Sequence, residues 1–372
     1  MNAINDFDNF LMTKLDEKKT RGHLRSLIDC RGKIDFSSND YFGFASKLHA
    51  LYPPPADIYS GATGSRSITG NSPEAEEAEK LVASFHNMES ALIFNSGYMA
   101  NVGLFSCLAA KGDSYISDEL IHASIIDGMR LSHANRVKFT HNNLADLEKK
   151  LQQIAGRKIV AIESVYSIDG DEAPLIEIAA LCKQYGALLI VDEAHATGVF
   201  GDYGEGLVCK YNLQKDVFAC IYTFGKALGL HGAAVTGSKI LRNYLINHAR
   251  SFIFTTALPP YSYLQIQHVY AELPKANRKK LFFLIDYFKK QAVLFPEIGF
   301  KESNSTIQGI VIGDSFKTTA LSTYLFEKGI FVKAILPPTV ATGTERLRIC
   351  IHSFNTCEEI DLLFNEIKIF LS

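Results

Sequence analysis

From about residue 74 to residue 256 the chain alternates stretches of helical periodicity with short unbroken apolar runs, a rhythm that predicts an α/β fold. Over Glu74 to Phe85 the positions Ala75, Ala78, Leu81, Val82 and Phe85 recur at helical spacing and predict a helix with one apolar face. Leu144, Leu147, Leu151 and Ile154 repeat that spacing among charged residues and predict another. The runs Ala91 to Phe94, Ile159 to Glu163, Leu188 to Asp192, Ala219 to Phe224 and Ala233 to Thr236 are apolar with little alternation. Strands that read this way are covered on both faces of a sheet. Ligands of such sheets bind beyond the carboxyl ends of the strands, so the residues that follow each run are the first candidates for chemistry. These are Asn95 to Tyr98, Ser164 to Asp171, Asp192 to His195 and Thr223 to Lys226.

A mixed segment from Pro259 to about Ala292 leads to further strand candidates, Ile307 to Ile312, Ile330 to Ile335 and Leu347 to Ile351. The chain closes on an amphipathic helix with Ile360, Leu363, Phe364 and Ile367 on one face. This pattern divides the chain into an N-terminal arm over residues 1–43, a large domain over 44–257 and a smaller α+β domain over 258–372.

A chain of 372 residues that is 47% hydrophobic can bury a large core, as a folded enzyme requires. Its formal net charge of −2, with Lys and Arg evenly scattered, offers no basic face, so no nucleic-acid partner is expected. The seven cysteines are far apart, odd in number and without a C-x-x-C pair, which argues against a disulfide framework and against a zinc cluster; no metal is expected. Asp6 and Asp8 stand where a secretory signal needs basic charge, and no apolar run reaches the roughly 18 residues of a membrane span. A cytoplasmic protein without membrane association is the expectation.

Lys226 lies in Thr223-Phe224-Gly225-Lys226-Ala227-Leu228-Gly229. Most lysines are solvated surface charges. This one closes a run that reads as a buried strand, and a desolvated amine has a lowered pKa and becomes nucleophilic. Asp192 likewise closes Leu188-Leu189-Ile190-Val191 and opens Asp192-Glu193-Ala194-His195. Those four letters also spell the DEAH box of some nucleic-acid-dependent ATPases. That rival needs an upstream Gly-x-x-x-x-Gly-Lys-Ser/Thr phosphate loop, which the sequence lacks. A Rossmann dehydrogenase fails similarly, for want of a Gly-x-Gly-x-x-Gly turn. An acid and an amine that each end a buried strand suit a cofactor with one covalent anchor and one anionic contact. Pyridoxal phosphate needs both, an amine for its aldehyde and a carboxylate to keep its pyridine nitrogen protonated.

Several separated segments then carry a family resemblance: Ser37-Ser38-Asn39-Asp40-Tyr41, Gly61-Ala62-Thr63-Gly64-Ser65-Arg66, Ser96-Gly97-Tyr98-Met99-Ala100-Asn101, His122-Ala123-Ser124, Ser167-Ile168-Asp169-Gly170-Asp171, Thr255-Thr256-Ala257-Leu258-Pro259-Pro260 and Arg346-Leu347-Arg348, with the Asp192 and Lys226 segments between. In this ordered set the chain resembles the α-oxoamine synthases, fold-type I pyridoxal-phosphate transferases with a mostly parallel central sheet covered by helices. The resemblance implies that Lys226 holds the cofactor as a Schiff base and that Asp192 pairs with the pyridine nitrogen. It implies that His122 stacks on the ring, and that His195 and Ser167 hydrogen-bond the ring oxygen. Ser96, with the amides of Gly97 and Tyr98 at a helix start, and the Thr223 hydroxyl then cradle the phosphate.

The same resemblance implies that Arg348 with Asn39 holds the amino-acid carboxylate, a task that suits a planar two-pronged donor. In some relatives an N-terminal arginine contributes to substrate recognition, and the resemblance offers Arg21 and Arg25 for that part. Relatives are homodimers with the active site at the subunit interface, so Thr255 or Thr256 is expected to reach the partner's phosphate. The implied reaction is a decarboxylative condensation of L-alanine with a pimeloyl thioester, carried by coenzyme A or a carrier protein. Glycine with an acetyl thioester, or serine with a palmitoyl thioester, is the alternative within the family. Two positions depart from its pattern: Ala75 replaces a common histidine, and Ile168 replaces the usual methionine.

Overall fold

A computed structural model describes residues 3–295, 299–301 and 303–372. The chain forms two compact units, one of residues 39–278 and one of residues 1–38 with 279–372.

The larger unit is built on seven strands: β1 (Ser90–Phe94), β2 (Ser114–Asp118), β3 (Asn135–Phe139), β4 (Lys158–Glu163), β5 (Leu188–Asp192), β6 (Ala219–Thr223) and β7 (Ala233–Gly237). Their order across the sheet is β1-β7-β6-β5-β4-β2-β3. All neighbours are parallel except at β7, which runs antiparallel to both β1 and β6. Burial on both faces explains the unbroken apolar runs. In β4 the residues Ile159 and Ala161 join one core cluster, and the alternate Val160 and Ile162 are equally inaccessible. In register, Glu163 at the end of β4 sits opposite Asp192 at the end of β5.

Two strands carry no apolar signature in the sequence. β2 reads Ser-Tyr-Ile-Ser-Asp, and its polar residues are buried with it; β3 is a sheet edge and largely exposed. Helix Pro73–Phe85 forms where expected, with Ser72 accepting from the Ala75 amide and Pro73 in the first turn. Its inner face differs from the expected one. Glu79 is buried while Leu81 is exposed, because the Glu79 carboxylate turns inward to Arg66 Nη1 at 2.8 Å, Arg242 Nη2 at 2.6 Å and the Ile93 amide at 2.9 Å.

Helix Pro260–Glu272 packs on helix Pro73–Phe85, and Gln267 Nε2 donates to the Glu74 carbonyl at 3.0 Å. The larger unit therefore runs on to residue 278, beyond the sequence division between residues 257 and 258, and Pro260 opens a helix of the same unit.

In the smaller unit four antiparallel strands run in the order Lys333–Ile335, Arg346–Cys350, Ile307–Val311, Gly299–Lys301. The expected strand over Ile330 to Ile335 is divided, because Ile330–Phe331 pairs instead with Ile34–Asp35 in a two-stranded parallel sheet. That pairing explains why residues 1–38 belong with the C-terminal part of the chain. Helix Ala3–Thr20 buries none of its residues. No helix among the described residues is long and apolar enough to cross a membrane.

Candidate active site

The carboxyl ends of β1, β2, β4, β5 and β6 carry most of the residues singled out from the sequence. Lys226 follows β6 in a tight turn closed by Gly229 N–H to the Lys226 carbonyl at 2.8 Å and Leu230 N–H to the Phe224 carbonyl at 2.9 Å. Gly229 takes a left-handed φ of 63°, and a side chain there would run into the Ala45 backbone. The turn thus holds the half-buried Lys226 in one place. Its Nζ lies 2.7 Å from His195 Nε2, and His195 Nδ1 lies 2.7 Å from the Tyr41 hydroxyl. An ammonium donating to Nε2 leaves the neutral imidazole proton on Nδ1, facing the tyrosine oxygen. His195 therefore joins Lys226 to Tyr41, contacts additional to the ring-oxygen role expected of it.

A second chain of side chains starts at Asp192. Its Oδ1 accepts from the Ala194 amide at 3.0 Å and its Oδ2 from Asn101 Nδ2 at 2.9 Å. Asn101 Nδ2 lies 3.0 Å from Ser124 Oγ, which lies 2.6 Å from His122 Nδ1. The Ser124 amide also donates to that nitrogen at 3.2 Å. Nδ1 is thus an acceptor, and the proton of a neutral His122 ring is on Nε2.

The turn after β1 opens helix Gly97–Leu108, with Ser96 Oγ accepting from the Met99 amide at 3.2 Å. First-turn amides have no carbonyl one turn back to bond, so those of Gly97 and Tyr98 are of the kind that can take an anion. A Cβ on Gly97 would lie 2.7 Å from Thr223 Oγ1, so only glycine lets that hydroxyl close on the helix start. The Tyr98 side chain turns away to Asp127 Oδ2 at 2.7 Å. Asn95 Nδ2 donates to the Thr256 carbonyl at 2.7 Å and to Thr255 Oγ1 at 3.3 Å, which ties Thr255 and Thr256 to this same turn.

Ser167 is half-buried in the loop between β4 and helix Leu175–Gln184. A clamp holds that loop: His141 Nδ1 lies 2.9 Å from Asp118 Oδ1 at the end of β2, and His141 Nε2 lies 2.7 Å from Asp171 Oδ2. Asn142 Nδ2 adds a bond to Asp171 at 2.8 Å. Burial pulls the His141 pKa down, but hydrogen bonds and charge from the two aspartates outweigh it and lift the value to about 10. Asn39, in the same unit, accepts from the Tyr41 hydroxyl at 3.4 Å. Arg348 and Arg25 belong to the smaller unit. Arg348 is half-buried on strand Arg346–Cys350 with Nη1 3.0 Å from Cys350 Sγ, and Arg25 is exposed.

Sequence reasoning missed Asn101, Ser124 and Tyr41 as site residues although all three lie inside the quoted motifs. Their periodic neighbours gave no hint that they bond one another across long sequence separations. His141 and Glu163 lie outside any motif quoted.

A lysine amine on a strand-end turn, a buried carboxylate held by two donors, and a glycine-shaped turn at a helix start form one donor set. It fits an aldehyde-bearing pyridine ring with a phosphate. Residues 31–365 match the family model for aminotransferase class I and II, and the chain belongs to that family. It is a pyridoxal-phosphate protein of the fold-type I class. More particularly, it is 40% identical over 375 residues to 8-amino-7-oxononanoate synthase 2 of Bacillus subtilis (strain 168), covering 96% of each chain. It is 42% identical over 349 residues to a putative 8-amino-7-oxononanoate synthase of Geobacillus kaustophilus, covering 90% of this chain and 88% of the relative. Among solved structures, it is similar to the 8-amino-7-oxononanoate synthase of Francisella tularensis, with 30% identity, a TM-score of 0.76, and coverage of 91% of this chain and 99% of that one. The serine palmitoyltransferase of Sphingomonas wittichii is also similar, with 27% identity, a TM-score of 0.86, and coverage of 100% and 98%.

Proposed function

We propose that the chain is an 8-amino-7-oxononanoate synthase, a pyridoxal-phosphate acyltransferase that condenses L-alanine with a pimeloyl thioester and releases carbon dioxide and the thiol. The observation that carries this reading is the pairing of Lys226 and Asp192 at adjacent strand ends, each with its own set of partners, in a chain about 40% identical to several synthases of that name. When bound, the cofactor supplies a conjugated electron sink for a carbanion at the amino-acid α-carbon.

The chain's residues divide the remaining work. Lys226 would hold the cofactor's aldehyde carbon, and its freed Nζ is the base that takes the substrate's α-proton. His195 orients that amine by accepting at Nε2 from its charged form, and the Tyr41 hydroxyl holds His195 through Nδ1. Asp192 would face the ring nitrogen, and the Asn101 and Ala194 donors fix the carboxylate so that one geometry is preorganised. The helix start at Gly97 with Thr223 would hold the phosphate. His122, its Nδ1 bonded to Ser124, would present a ring face toward the cofactor and Nε2–H as a proton source. Asn39 and Arg348 would take the amino-acid carboxylate, with Arg25 or Arg21 as the recognition arginine on the N-terminal segment. The working form in this proposal is a homodimer.

The second reading, another α-oxoamine synthase of the serine palmitoyltransferase kind, is supported by the TM-score of 0.86 to such an enzyme. A panel of L-alanine, glycine and L-serine against pimeloyl, acetyl and palmitoyl thioesters, followed by thiol release, separates the two. Preference for alanine with the pimeloyl thioester is expected. Preference for serine with palmitoyl-CoA, or for glycine with acetyl-CoA, would replace the first reading with its rival.

A further inference from the structure

Three buried carboxyl groups end neighbouring strands of the central sheet: Asp118 on β2, Glu163 on β4 and Asp192 on β5. Two of them have full sets of donors. Asp118 takes His141 Nδ1 and the amides of Leu120 and Asn142, and Asp192 takes Asn101 Nδ2 and the Ala194 amide. Glu163 is only 3% exposed and its Oε1 has no hydrogen-bond partner, while Lys226 and the backbone N–H of His122 are the groups that favour its charged form. An ionised carboxylate with so few donors is strongly disfavoured out of water, and such a group neutralises instead.

The surrounding charges act in the same direction. Glu163 is directly opposite Asp192 in the strand register. Burial and then the Asp192 charge raise its pKa, with Asp118 adding to them, while Lys226 and the His122 amide oppose. The His141 cation is already engaged by Asp118 and Asp171, and Glu193 turns its Oε2 to the Val208 amide at 3.3 Å.

We propose that Glu163 is a positioning residue that works as an uncharged carboxylic acid: it fixes the backbone of His122 and leaves Asp192 to carry the negative charge of the two opposed strand ends. The functional part of this proposal rests on the reading of the pocket as a cofactor site. At alkaline pH the loss of its proton places two negative charges on directly opposed residues, and the environment of the bound cofactor changes.

The charge of Glu163 is read without cofactor, by the infrared difference between wild type and Glu163→Gln, both with isotope-labelled glutamate. Near neutral pH the difference should contain the stretch of a protonated carboxyl, and this should convert to a carboxylate band as pH rises; a carboxylate band already at neutral pH overturns the proposal. After loading with pyridoxal phosphate, Glu163→Gln should keep kcat within about threefold and lose the alkaline transition of the cofactor absorbance, whereas Glu163→Leu, which cannot accept the His122 N–H, should lose more than about tenfold. A tenfold loss in the Gln variant near neutral pH, or an unaltered alkaline transition, overturns the positioning role. If the Gln variant does not accumulate as folded protein, carbon NMR of labelled wild type decides, since a glutamate carboxyl titrating well above the others is required. Proteins that all refuse cofactor at Lys226 would remove the functional reading, while the infrared result would still decide the charge of Glu163.

Discussion

Lys226, Asp192 and His141 show three ways in which one fold fixes the position of an ionisable side chain. Lys226 is held by a glycine turn against His195, Asp192 by two donors, and His141 by two carboxylates at 2.9 and 2.7 Å. The His141 clamp gives a prediction about stability. In the unfolded chain a histidine has a pKa of about 6.5, and in the folded protein burial is outweighed by the aspartates, which lift it to about 10. The folded state therefore binds the proton more tightly. The clamp contributes in full below about pH 6.5, weakens as pH rises, and is lost once pH passes about 10. The urea midpoint of wild type relative to His141→Gln should fall across that window; a difference that stays constant with pH would contradict the clamp.

At the scale of elements, the strands that meet other strands and helices on both faces were legible in the sequence, because the buried residues of β4, β5, β6 and β7 are apolar apart from Glu163, Asp192 and Thr236. β2 was not legible. Its Ser114, Ser117 and Asp118 are buried, and Asp118 is satisfied by His141 and Asn142 more than twenty residues away. The inner face of helix Pro73–Phe85 was misread for the same kind of reason, since Glu79 is buried through Arg66 and Arg242 rather than by apolar character. The candidate site residues were legible as the residues that follow the apolar runs, since in such a sheet the strand ends are where a ligand can reach side chains. The links that join Asp192 to His122 through Asn101 and Ser124 were hidden, because only the fold brings these segments together.

The turn between β1 and its helix offers a test at the same scale. A side chain on Gly97 collides with the Thr223 hydroxyl. Gly97→Val should weaken pyridoxal phosphate binding by about tenfold or more, with little effect on the thermal midpoint, because the site lies at the mouth of the sheet. Titration by absorbance measures the affinity. Unchanged affinity would contradict the assignment of this turn to the phosphate.

For the whole molecule, two units serve different parts of the proposed chemistry. The unit of residues 39–278 carries the cofactor groups, and the unit of residues 1–38 with 279–372 carries Arg348, Arg21 and Arg25. The proposal of a homodimer predicts sedimentation at twice the chain mass over micromolar concentrations, and a monomer of full activity would contradict it. Truncating the N-terminal helix Ala3–Thr20, which buries no residue of its own, should leave cofactor binding in place. The account's central claim is that one amine, Lys226, is the covalent anchor of pyridoxal phosphate. Borohydride reduction of the loaded protein followed by peptide mapping tests it most directly. The account predicts a single stable adduct on the peptide containing Lys226, absent in Lys226→Ala; an adduct on another lysine, or none, would contradict it.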